Sequence, residues 1–366
     1  MEEEVEVEVE AKVKTEAILK FAAYHKREEI QPETMEKARG EDGYVLDQQP
    51  IRTTSSGVMM KAAAVFKSPS SSDVLKVPVQ ILAVKTHKME CLYELLEAYK
   101  LAKRCPHKNL VGLHVSFKNP RDDRLWIVMS DVSRVSLRRM MTSLPSPLPE
   151  PMRASILRQT LEALDCIHTA GDRAHGDVCA GLVYLDGKDF SKVKLGFREL
   201  MCEGVTKPPA ECWVAPEFAN DPKMAHGKAA DVWMYGLFIL EVLSGGRVPV
   251  STYKEVRDLV KGKNISVDFS SKKSNPSSSI VKKVFGCGFN NCKKMVKKKE
   301  ILECSDSLAD LIRQCLHEDP KRRPSCRQLL EHPYFKPSSN VERDYAIKVN
   351  KVLALHLKKS CGQMLS

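Results

Sequence analysis

Five short runs along the chain, 44–51, 57–66, 78–85, 111–117 and 124–130, are rich in β-forming apolar residues and separated by turn-forming stretches. Runs of this kind predict β-strands. Between the third and the fourth, Leu92, Leu95, Leu96 and Tyr99 gather on one side of a helical repeat, which predicts an amphipathic helix over 89–104. The first half therefore reads as a small sheet with one helix. After Ser130 the period lengthens. Ile156, Leu157, Leu161, Leu164 and Ile167 mark a helix over 150–169, with Pro151 in its first turn. Residues 229–244 are apolar on nearly every side, the pattern of a helix buried within the second half. Two more helices are expected over 305–317 and 325–332, and a last amphipathic one from Val341 to Leu357. Residues 1–43 read as a polar, disordered tail: the Glu-Val alternation from Met1 to Glu10 has strand spacing but repels itself, and only 17–28 has the makings of a short helix. There is no internal repeat.

Composition narrows the class. With 366 residues, 43% of them hydrophobic, the chain can bury two domains or one bilobed one, which excludes a disordered or collagen-like protein. No run of 18 apolar residues appears, so no transmembrane helix is expected. Met1-Glu2-Glu3-Glu4 lacks the basic and apolar regions of a signal peptide, and neither a Gly at position 2 nor a prenylation Cys is present. Twelve cysteines are too few for a disulfide scaffold of this length and read as reduced thiols of an intracellular, cytoplasmic protein. The net charge of +11 is concentrated: residues 261–299 hold eleven lysines against one acid, Asp268. That is a near-neutral globule with a basic, Ser/Lys-rich insert. Its run KKMVKKK reads as a solvated loop or a nuclear address, and its Cys287 and Cys292 lack the second ligand pair a zinc site needs.

Six short motifs fall in order along this framework: Leu82-Ala83-Val84-Lys85; His107-Lys108-Asn109-Leu110-Val111; His175-Gly176-Asp177-Val178; Val214-Ala215-Pro216-Glu217; Asp231-Val232-Trp233-Met234-Tyr235-Gly236; and Asp319-Pro320-Lys321-Arg322-Arg323-Pro324. The series resembles the protein kinase superfamily from about residue 44 to 335. The stretches LHVSF, LWIVM, ASILRQTLEALDCIH and CWVAPE are similar to the germinal-centre, or sterile-twenty-like, branch of Ser/Thr kinases. The resemblance implies an α+β bilobed fold. A small antiparallel-sheet N-lobe with one main helix would span 44–130. A larger helical C-lobe would span 131–335 and carry the basic insert at 261–299, with a tail at 336–366 containing a short helix.

It also implies a site, which this chain keeps only in part. Asp177 matches the residue that accepts the substrate's hydroxyl proton. Lys85 matches the strand lysine that holds the α- and β-phosphates, with Glu97, or else Glu94, as its helix partner; the Lys85–Glu97 pair could equally serve only to tie sheet to helix. Gly57 is the one glycine left in the phosphate loop, whose other small positions read Arg52 and Thr54, and Met59 stands where a valine covers adenine. An ordinary hairpin with no ligand accounts for that loop better. Met129 matches the gatekeeper, and Ser130, Asp131 and Val132 the hinge, so Lys85, Glu97, Gly57, Met129 and Asp131 make a vestigial nucleotide pocket. The loop arginine that would receive an activating phosphate is Gly176. Cys179 and Leu182 replace the loop lysine and the metal-binding asparagine. The metal-binding aspartate falls on Phe197-Arg198-Glu199, or with Phe197 in register after Gly196, and neither alignment supplies an aspartate. No metal is therefore expected, and no cofactor, or at most ATP bound weakly and without Mg²⁺. Ala210 occupies the activating threonine's place and Thr206 is the one hydroxyl of the activation segment. Glu217 with Arg323, Asp231, His175 and Trp233 read as scaffolding.

These residues imply a pseudokinase that works by binding, with an active protein kinase as its partner. The alternatives are a weakly active or atypical Ser/Thr kinase, built on Lys85, Glu97 and Asp177, and a binder of nucleic acid or acidic membrane acting through the insert. Nucleic acid is disfavoured because Phe285 and Phe289 form no ordered stacking platform among the lysines.

Overall fold

The structure, a computed structural model, describes residues 44–54, 57–67, 74–84, 92–119, 124–144, 147–186, 192–201, 210–220, 227–262, 265–268 and 301–336. The N-terminal tail, Lys85, Thr206, most of the basic insert and the expected helices at 17–28 and 341–357 lie outside them.

The β-rich runs become β1 (Tyr44–Thr53), β2 (Gly57–Lys67), β3 (Val74–Val84), β4 (Leu113–Lys118) and β5 (Leu125–Ser130), with α1 (Leu92–Arg104) between β3 and β4. The five strands form one antiparallel sheet in the order β1-β2-β3-β5-β4. Its register gives each face its own cluster, because residues paired across strands share a face. Met59 pairs with Leu82 and Leu82 with Ile127, and these pack with Val84 and Met129 against Leu95 and Tyr99 of α1. On the other face Ile81, Ala83, Trp126 and Val128 pack with Ala62 and Ala64, and Phe117 stacks on Tyr44 and meets Trp126 at a tilt. β3 starts at Val74, earlier than its sequence pattern suggests. Pro78 blurs that pattern, yet β5 pairs β3 only from Val79 onward, so the missing N–H falls where one side of the strand is open.

The second lobe follows as α2 (Leu137–Ser143), α3 (Glu150–Ala170), the ribbon β6 (Val183–Leu185) and β7 (Val193–Leu195), α4 (Arg198–Met201), α5 (Pro216–Asn220), α6 (Lys228–Leu243), α7 (Tyr253–Lys261), the ribbon β8 (Ser266–Asp268) and β9 (Ile301–Glu303), α8 (Asp306–Cys315) and α9 (Cys326–Leu330). The long apolar helix α6 is buried from Ala230 to Leu243 and carries the lobe: α3 and α8 pack on it, and Tyr235 donates to the Leu157 carbonyl at 2.9 Å. The elements α2, α4 and α5 and the two ribbons are too short to leave a readable period in the sequence, whereas α7 was missed although Tyr253, Val256, Leu259 and Val260 stand at helical spacing.

The motif around Asn109 joins the lobes. Val111 donates to the Leu195 carbonyl at 2.9 Å, Leu195 donates to the Asn109 carbonyl at 2.8 Å, and the Asn109 amide donates to Gln159 on α3 and to the Val193 carbonyl. The sheet and α6 thereby share one continuous core, and the candidate site lies along their junction.

Candidate functional site

The loop after α3 is positioned from beneath by α6. Asp231, fully buried, accepts backbone N–H bonds from His175 at 2.6 Å and Gly176 at 2.8 Å, and contacts His168 Nε2 at 2.7 Å. Gly176 turns the chain at φ +82°, a conformation that costs any side-chain-bearing residue free energy. His175 is held as a neutral imidazole: its Nδ1 accepts from the Asp177 N–H at 3.2 Å, and its Nε2–H donates to the Gly196 carbonyl at 3.2 Å. Its ring stacks on Phe197, 5.2 Å between centroids. Burial lowers its pKa, outweighing the nearby Asp231 and Asp177 carboxylates.

The Asp177 carboxylate forms an ion pair with the Arg198 guanidinium, brought to it by α4. That helix packs against α1, with Leu200 and Met201 fully buried. Leu182 and Phe197 are core residues, 3% and 2% exposed. Burial pushes the Cys179 thiol up to about 12, helped by Asp177 and Glu241, which leaves it protonated and unreactive. Arg138 of α2 crosses above this loop to Glu241 of α6, whose other oxygen accepts the Ala180 N–H at 2.8 Å. Burial also raises the Glu199 carboxyl, and Asp177 and Glu94 add to the shift.

Across the cleft, the β1–β2 turn is closed on itself. Thr54 N–H donates to the Gly57 carbonyl at 2.7 Å, and Gly57 N–H donates to Thr54 Oγ1 at 3.0 Å. Gly57 is a glycine for reasons of packing: a Cβ there would sit 2.2 Å from the Ala83 carbonyl oxygen of β3. Arg52, read from sequence as a poor substitute for a glycine, turns inward instead. It is 7% exposed; its Nη1 donates to Tyr184 Oη at 2.7 Å and its Nη2 to the Arg134 carbonyl at 3.0 Å, and its guanidinium lies 4.7 Å from the centre of the Tyr184 ring. Met129 is fully buried in the shared core. Asp131 is engaged by Lys61 at 3.2 Å and by Gln80, whose Nε2 also donates to the Val132 carbonyl at 2.6 Å.

Lys85 lies outside the described residues, so its partner is not seen. The residues of β3 that pack toward α1 are Leu82 and Val84. Glu97 is held by Lys100 at 2.9 Å and by Arg173, just before the catalytic loop, and both lower its pKa against the opposing effect of burial. Glu94, the alternative partner, is exposed and close enough to Glu199 to raise its pKa. The expected clasp is present: Arg323 binds Glu217 through two bonds of 2.8 and 2.7 Å and lies over Trp233 at 5.1 Å. Ala210 is exposed. Sequence reasoning missed the roles of Arg198, Tyr184 and the inward Arg52. The one signal was charge: Arg52 follows Ile51 in a strand-like run, and Arg198 stands with Glu199 between Phe197 and Leu200.

A family model described as "Protein kinase domain" matches residues 61–335. Among curated proteins, "Serine/threonine-protein kinase fray1" of Dictyostelium discoideum is 25% identical over 297 residues, which is 79% of this chain and 45% of that protein. "Serine/threonine-protein kinase fray2" of the same organism is 27% identical over 281 residues, 74% of this chain and 24% of that protein. The chain thus spans less than half the length of either relative. Among the described residues no helix is long and apolar enough to cross a membrane.

Proposed function

The chain belongs to the protein kinase family, and we propose that it is a member that has kept the fold, given up phosphoryl transfer, and acts as a scaffold or allosteric regulator of an active protein kinase. We assign it to the germinal-centre branch on the stretches LHVSF and CWVAPE.

One observation carries the reading: the retained carboxylate of Asp177 is neutralised by Arg198, while Leu182, in the place of the metal-binding asparagine, and Phe197 or Gly196, in the place of the aspartate according to register, are buried in the core. A metal–nucleotide complex does not fit these residues. Apolar side chains cannot ligate Mg²⁺. The neutral Cys179 thiol offers no cation to a transferred phosphoryl group. The β1–β2 turn spends its Thr54 and Gly57 amides on itself. Phosphates placed there without compensating charge would repel one another by several kcal/mol. A weakly active kinase remains the second reading because Asp177 is present, and its pairing with Arg198 counts against it.

A protein without chemistry of its own acts through binding energy that differs between two states of a partner. The test is purification of the tagged full chain from its source, followed by reconstitution. The reading expects an active protein kinase to be recovered and its rate to change several-fold when this chain is added back. Recovery of RNA, or of no kinase, overturns it.

A further inference from the structure

We infer that Arg52 is a built-in ligand of the cleft: its guanidinium occupies the place of a nucleobase and bridges the two lobes as a bound nucleotide would. This rests on the reading of the cleft as a vestigial nucleotide pocket and deepens it, since it assigns the loss of nucleobase binding to one residue.

Four observations converge. Arg52 comes from β1, the strand that roofs the cleft, and is almost wholly buried. Its Nη2 donates to the carbonyls of Arg134 at 3.0 Å and Ser133 at 3.4 Å, immediately beyond the hinge residues Ser130–Val132, so it takes up acceptors at the hinge end of the cleft. Its planar group lies over the ring of Tyr184, on β6 of the second lobe, 4.7 Å from the ring centre, and bonds the Tyr184 hydroxyl at 2.7 Å. A flat, cationic, multiply donating group between a strand roof and an aromatic floor occupies the volume a stacked purine would need. The same hinge segment is tied to the sheet at three further points: Arg134 to Asp47 of β1 at 3.1 Å, Lys61 of β2 to Asp131 at 3.2 Å, and Gln80 of β3 to the Val132 carbonyl at 2.6 Å. Groups of the chain itself therefore tie the hinge to the sheet and, through Tyr184, the sheet to the second lobe.

Removing the plug should expose the site. The partners it leaves behind, two carbonyls and a phenol, can be satisfied by water entering the cleft. The probe is adenosine, which carries no phosphate and therefore reads the nucleobase place independently of the missing metal ligands. Binding is followed by isothermal titration and by melting, in the absence of Mg²⁺, for the full chain and for Arg52→Gly. The inference expects adenosine to bind Arg52→Gly at least tenfold more tightly than the parent. It is overturned if the folded variant binds within twofold of the parent, or if the parent itself binds adenosine and the substitution leaves that unchanged. Should Arg52→Gly lose its cooperative melting, Tyr184→Leu, which removes the floor that holds the guanidinium, decides by the same criterion. Phosphate transfer by the parent chain would sink the proposed function without touching this result, and unchanged adenosine binding would sink this inference without touching that function.

Discussion

At the scale of single residues, the candidate site is governed by protons and charges that are already spoken for. His175 shows this most clearly. Its two ring nitrogens hold one acceptor bond and one donor bond that only the neutral form can make together. Burial sets its folded pKa below the ordinary value near 6.5. The unfolded chain therefore binds more protons at acidic pH, and the stability this residue contributes is complete above about 6.5 and is lost as pH falls below that value. Melting temperature should drop between pH 7 and pH 5, and His175→Gln should flatten part of the drop. Part will remain, because burial lowers His107 as well. An unchanged slope in the variant would show that His175 is not held neutral. The identities of Asp177, Cys179 and Leu182, on which the proposed loss of chemistry rests, were legible from residue type and motif order alone. Where Arg52 and Arg198 point was not: a charged residue next to an apolar one reads as surface, and neither the inward turn of Arg52 nor the ion pair of the half-exposed Arg198 leaves a mark on the sequence.

At the scale of elements, the strands and long helices were legible because each runs through enough residues to show its period, and the motifs fixed their order. The short helix α4 was not: four residues give no period, yet it fills the space beside α1 and delivers Arg198 to Asp177. Asp231 was read as scaffolding, and the bonds it accepts from His175 and Gly176 show what it supports: the loop after α3 depends on α6. Replacing that carboxylate leaves buried donors without acceptors, at roughly 1–3 kcal/mol for each. Asp231→Ala should therefore lower unfolding free energy by about 3 kcal/mol or more in urea titrations. A loss under about 1 kcal/mol would mean that the loop holds its shape without α6. At Gly57 the sequence offered both a remnant of a phosphate loop and an ordinary hairpin, and the close approach of β3 supplies a packing reason for the glycine that needs no ligand.

At the scale of the molecule, the basic insert leaves from the second lobe itself: Ile265 is buried in the core just before β8. β8 and β9 pair with each other, Ser266 opposite Glu303 and Asp268 opposite Ile301, so the chain leaves and re-enters the second lobe at adjacent points. Replacing 269–300 with Asn-Gly should close a two-residue hairpin there and leave the melting temperature within a few degrees of the parent. It should also slow association with a partner at low salt, because the lysines steer encounters over a Debye length. A large fall in melting temperature would make the insert part of the fold. The central claim is that the kinase architecture persists without its chemistry, and one assay bears on it directly: transfer of radiolabelled phosphate from Mg²⁺–ATP to a generic Ser/Thr substrate by the purified chain, alongside Arg198→Ala and Asp177→Asn. The account predicts background incorporation for all three, including Arg198→Ala, in which Asp177 is released but Leu182 and Phe197 still bind no metal. Incorporation by the parent chain that Asp177→Asn abolishes would contradict it.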